Sequence, residues 1–118
     1  MSTKEIGDFG ESAAAAYLED NEYEILERNY RVKCGEIDII AEKDGCVVFT
    51  EVKTRKNNIF GEPSEYVDYR KQKRIKMAAS LYADIEYTEM RFDVIEVFYQ
   101  IVDGNMSVSE TKHIEDAF

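Results

Sequence analysis

The sequence predicts an α/β fold, a mixed sheet flanked by helices with elements in the order α-β-β-β-α-β. Three observations carry that expectation. Apolar residues recur at helical spacing near the N-terminus and again from Glu65 onward. Asp44-Gly45 joins two apolar runs, the strongest short-range hairpin signal. A last alternating run, Arg91 to Ile101, follows the second helix, as in a sheet extended through a helical crossover.

Each element has a local reason. Ser2 followed by Glu5 has capping-box spacing and starts a helix over Thr3–Asp20, with Ile6, Phe9, Ala13, Ala16 and Tyr17 as its apolar positions. Tyr23 to Val32, rich in aromatic and branched residues, reads as a strand, and Glu36–Lys43 and Cys46–Thr54 form the hairpin. Arg55 to Ser64 holds Gly61 and the single Pro and reads as a loop. Glu65–Ala83 is a second helix with Val67, Ile75, Ala78 and Tyr82 facing inward. The tail suggests only a short strand around Met106 to Val108 and an apolar anchor at Ile114 and Phe118.

Length and composition narrow the function. The chain has 118 residues, one domain of ordinary size spanning 1–118. Its longest apolar stretch, Ala13 to Leu18, is far short of the roughly 20 residues that span a bilayer. No basic segment precedes an apolar one at the N-terminus, so the reading is a cytoplasmic protein with no membrane partner. Cys34, Cys46 and the single His113 leave little for a zinc site and point to no disulfide; His113 reads as a local cap. Carboxylates and lysines remain for chemistry.

Charge is unevenly spread. Net charge is −10, yet from Lys53 to Lys76 eight Lys and Arg stand against three acids, a local +5 that leaves −15 on the rest. Such asymmetry marks either one polyanion-facing surface or a solvated basic helix face.

The hairpin brings acids together. A two-residue turn at Asp44-Gly45 sets Lys43 opposite Cys46, hence Asp38 opposite Glu51 and Glu36 opposite Lys53. Asp38, Glu51 and Lys53 then share one face. Opposed Cβ atoms lie about 4.5–5.5 Å apart, where like charges repel. Such a pair needs a shared proton or a cation, and a hard divalent ion with oxygen ligands fits best. Both strands are apolar on both faces, and a charge there is costly unless paired. A structural acid pair stays open on spacing alone. Glu11 lies on a flank of the first helix with Gly7, Ala14 and Leu18, a flank expected to pack and to deliver Glu11 towards the pair.

Several blocks together resemble a known family. Gly10-Glu11, the run from Tyr23 to Arg31, Gly35-Glu-Ile-Asp-Ile-Ile-Ala, Phe49-Thr-Glu-Val-Lys-Thr-Arg and Gly61-Glu-Pro resemble the YraN-like family of small bacterial proteins. So do Lys71-Gln-Lys-Arg, Arg91-Phe92 before Asp93-Val-Ile, and the closing His113-Ile-Glu-Asp-Ala-Phe. That family is similar to archaeal Holliday-junction resolvases and to the restriction-endonuclease-like superfamily. The resemblance implies a restriction-endonuclease-like αβββαβ core. It also implies a Mg²⁺ (or Mn²⁺) site from Glu11, Asp38, Glu51 and the Val52 backbone carbonyl, with Lys53 beside it. All four side chains match, while the acidic net charge departs from a typical DNA enzyme.

The expected function is metal-dependent hydrolysis of phosphodiester bonds, with branched or single-stranded DNA as substrate. Catalysis would fall to Asp38, Glu51 and Lys53, and Arg55, Arg70, Lys73 and Arg74 would track the DNA backbone. Lys71 is either a stem-packed lysine at the core edge or a phosphate contact, and Glu36 a partner for Lys53. The alternative is a non-catalytic nucleic-acid or protein-interaction module on the same fold, or a homodimer pooling two basic faces.

Overall fold

A computed structural model of the chain describes residues 1–57, 67–82 and 89–118. It contains α1 (Thr3–Asp20), β1 (Glu24–Val32), β2 (Gly35–Lys43), β3 (Cys46–Lys56), α2 (Tyr69–Tyr82), β4 (Glu89–Val102) and β5 (Asn105–Ile114). The strands form one mixed sheet in the order β1-β2-β3-β4-β5, parallel between β3 and β4 and antiparallel elsewhere. This is the α/β class expected, with a fifth strand added.

Local chemistry accounts for the elements. Ser2 caps α1 in a complete capping box with Glu5. Asp44 and Gly45 have φ of 52° and 81°, the left-handed pair that closes a two-residue hairpin, and the ladder runs from Lys43↔Cys46 to Ile39↔Thr50 in the expected register. α2 starts at Tyr69, where the Asp68 carboxylate accepts the Lys71 N–H at 2.9 Å.

The sheet is sandwiched. On one face Ala14, Ala15 and Leu18 of α1 pack on Ile39, Ala41, Val48, Ile95 and Val97. On the other, Ile75, Ala78 and Ala79 of α2 pack with Val67 on Ile37, Ile40, Val47, Phe49 and Val94. β3 runs through the middle, with Val47, Val48, Phe49 and Thr50 fully buried.

Three expectations need correction. Arg55 and Lys56 belong to β3, because β4 continues beside them with Arg55↔Phe98 and Lys56↔Tyr99. The tail is a ten-residue edge strand, folded back on β4 through a second Asp-Gly turn with φ of 52° at Asp103 and 79° at Gly104. Ala16 is exposed, and α1 instead buries Gly10, Ala14, Ala15 and Leu18. The apolar anchor is present: Ile114 and Phe118 join the α2-side core, and Phe118 stacks on Phe92 at 5.5 Å. Gly61, Pro63, Glu65 and Ala83 lie outside the described residues. No helix among the described residues is long and apolar enough to cross a membrane, and both cysteines are free.

Candidate metal centre

The site forms where the ladder of β2 lapses on both sides. Towards β3 the register ends at Ile39↔Thr50, which leaves Asp38 and Glu51 as the next row. Towards β1 the pairs Arg28↔Ile39 and Tyr30↔Ile37 flank a missing Asn29/Asp38 pair, and Asn29 has a left-handed φ of 53°. Free of the ladder, Asp38 Oδ2 accepts the Val52 N–H at 2.8 Å. The carboxylate thus terminates the pairing between the two strands and stays beside Glu51.

Electrostatics follow from that placement. Burial, and then the Glu51 carboxylate, push the Asp38 pKa up to about 7, against the pull of the Val52 N–H; Glu11 raises it further. Glu51 is itself buried and is ion-paired through Oε1 with Lys71 Nζ, which reaches down from α2. Burial opposes the Lys71 charge, yet the hydrogen bond and charge of Glu51, with Asp38 behind it, hold its ammonium above the ordinary value. Each acid is answered within the chain, Asp38 by a raised affinity for its proton and Glu51 by the Lys71 ammonium.

Glu11 approaches from α1. A Cβ on Gly10 would overlap the Thr54 side chain, so only glycine lets α1 lie this close to β3. Burial raises the Glu11 pKa, with Arg28 opposing. With its amide nitrogen turned to the carboxylate, Asn29 donates to Glu11 Oε1 at 2.8 Å. Asn29 was not singled out from the sequence; its one signal is the tolerance of Asn for left-handed backbone. Among the described residues no three His, Cys, Asp or Glu side chains converge as a metal cage. What the described residues bring together is the Asp38/Glu51 pair, with Glu11 near enough to act on Asp38 by charge.

The remaining candidates separate. Lys53 is half-buried on β3 and has no ion-pair partner among the described residues. Glu36, expected beside Lys53, pairs instead with Arg31 at 3.2 Å. Arg55 binds Glu96, a fully buried carboxylate, at 3.1 Å. Arg70, Lys73 and Arg74 are exposed on α2. His113 ties β5 to the core: Nε2 lies 2.6 Å from Asp93 Oδ2 and Nδ1 3.2 Å from the Tyr17 hydroxyl.

The fold and these positions fall within one family. The model for "Uncharacterised protein family UPF0102" matches residues 10–97, a span that includes Glu11, Asp38, Glu51 and Lys53. The chain belongs to UPF0102, the YraN-like family. A UPF0102 protein of Caldicellulosiruptor bescii is 44% identical over 122 residues, covering 100% of both chains. UPF0102 proteins of Clostridium botulinum strains 657 and Loch Maree are 48% and 49% identical, each over 98% of this chain and 94% of the relative. With these UPF0102 relatives the similarity runs over nearly the whole of each chain.

Proposed function

We propose that the chain is a metal-dependent nuclease of the restriction-endonuclease-like superfamily, acting on phosphodiester bonds of branched or single-stranded DNA. One observation carries the reading: two carboxylates, Asp38 and Glu51, lie together at a lapse in the sheet, where a raised affinity for a proton on Asp38 and the Lys71 ammonium on Glu51 offset their charge. A divalent cation can take the place of that proton between the two carboxylates. The donor set suits Mg²⁺ or Mn²⁺, which take one or two carboxylates and keep several waters. Asp38 and Glu51 would hold the ion, with the Val52 carbonyl and Glu11 as further oxygen donors. When bound, a divalent ion supplies Lewis-acid polarisation of a phosphoryl oxygen and lowers the pKa of a water.

The protein's own groups do the rest. The Val52 N–H fixes the Asp38 carboxylate, and the Asn29 amide orients Glu11. Lys53 follows Glu51 by two residues on β3, on the same face, and places a positive charge where the phosphoryl group gains negative charge in the transition state. Such a group acts on turnover more than on binding. Lys53→Ala should abolish Mg²⁺-dependent cleavage of four-way-junction, flap or single-stranded DNA while DNA affinity changes little. Purified wild type that cuts none of these substrates, or a mutant that cuts as fast, would favour a binding module instead.

A further inference from the structure

The cations of α2 divide between two faces. Arg70, Lys71 and Arg74 line a cavity of about 730 Å³ between α2 and the β1–β2 turn. Lys73 and Lys76 line a separate hollow with Met77 and Ser80, and Lys73 Nζ sits 4.9 Å from the centre of the Tyr69 ring. Across the larger cavity stand Arg31 and Lys33, both exposed. They lie outside the basic stretch that the charge pattern marks.

This cavity is electropositive on a strongly acidic molecule. Among the described residues five cations line it against two acids, Glu36 and Asp68. Both acids are engaged, Glu36 with Arg31 and Asp68 with the N–H of Lys71. The two walls meet closely at Gly35, where an added Cβ would lie 2.8 Å from the Arg74 carbonyl oxygen. Cations on facing walls repel unless an anion lies between them. Among the described residues no aromatic side chain on which a base could stack lines the cavity, so what it offers a nucleic acid is chiefly charge for the backbone. At its inner side Lys71 reaches Glu51.

We infer that this cavity cradles the phosphodiester backbone of one nucleic-acid strand, between the β1–β2 turn and α2, and leads it to Asp38 and Glu51. Its volume falls within the roughly 300–1,000 Å³ of small-ligand sites, which suits a short length of single strand. The inference rests on the nuclease reading for what lies at the inner end, but the binding it describes needs no metal. Lys73 lies off the track, and Arg31 and Lys33 lie on it.

The test is fluorescence anisotropy of the full chain with a labelled oligothymidylate, in chelator, over a range of salt. The double variant R31Q/K33Q should weaken binding and flatten the log–log salt slope by about 0.7 per lost contact, or about 1.4 in all. R70Q/R74Q should do the same, and K73Q should leave the slope unchanged. Thermal melting of each variant confirms the fold. A slope that falls for K73Q, or stays fixed for R31Q/K33Q, overturns the cradle. Competition by polyglutamate as effective as by unlabelled oligonucleotide overturns it too, in favour of an acidic protein partner. Failure here, with Lys53→Ala still abolishing cleavage, removes the cradle and leaves the nuclease reading standing.

Discussion

Asp38 concentrates the electrostatic cost of the site in one side chain. A carboxyl whose pKa rises on folding holds its proton more tightly folded than unfolded. Its ionisation therefore costs stability as pH rises from the ordinary carboxylate range through about 7. Asp38→Asn keeps an oxygen for the Val52 N–H and removes the charge beside Glu51. In metal-free buffer at pH 8 it should stabilise the fold by on the order of 1–2 kcal/mol, with little gain at pH 4. Urea unfolding at the two pH values checks this; a loss of stability at pH 8 contradicts it. Asp93 behaves oppositely. Burial raises its pKa, but donors from His113, Arg91 and the Asp116 N–H outweigh burial and hold the carboxyl below its usual range. Its contribution is in place above the unfolded value near 4 and is lost as pH falls through the lower folded value. Asp93→Ala removes the buried carboxylate that Arg91 and His113 share and should cost about 3–5 kcal/mol in urea unfolding. Affinity for Mn²⁺ should stay unchanged. Single residues were legible where spacing fixed them: Asp38 and Glu51 follow from a two-residue turn. Asn29 was not, because its place depends on a φ reversal inside a strand.

At the scale of elements, small side chains decide how the site is assembled. Gly10, Ala14 and Leu18 form the stripe by which α1 lies on the sheet, and Gly10 meets Thr54 directly. Gly10→Ala adds a methyl group with no room and should cost about 1–3 kcal/mol, read as a lowered urea midpoint with an unchanged slope. An unchanged midpoint would mean that α1 sits further from β3. The sequence period showed that α1 exists and where it begins and ends, and the flank of Ala14 and Leu18 expected to pack is buried, while Ala16, counted with the apolar positions, faces out. Helical spacing alone does not say which flank can approach closest. The sequence suggests for β5 only a short strand around Met106 to Val108, whereas it runs over Asn105–Ile114. Residues 105–113 are mostly polar, as an exposed edge strand is, so their alternation carries no inward signal. Asp103-Gly104 was the legible mark, the same pair that closes the first hairpin. The C-terminal extension of β3 was hidden because a parallel partner far along the chain pairs with it.

At the scale of the whole molecule, a basic cavity sits on a chain of net charge −10. The charge count located α2 as the cationic element, and folding decided which cations converge and which turn away. Arg55 shows the difference: it lies in the basic stretch, yet it neutralises the buried Glu96. The opposed carboxylates are the centre of the account, and Lys71 now holds the positive charge that they require. The most direct measurement is calorimetric titration with Mn²⁺ at pH 8, comparing wild type with Asp38→Asn. The account predicts binding to wild type and a loss of roughly tenfold or more in affinity for the variant. No binding to wild type, or equal binding to the variant, would contradict it.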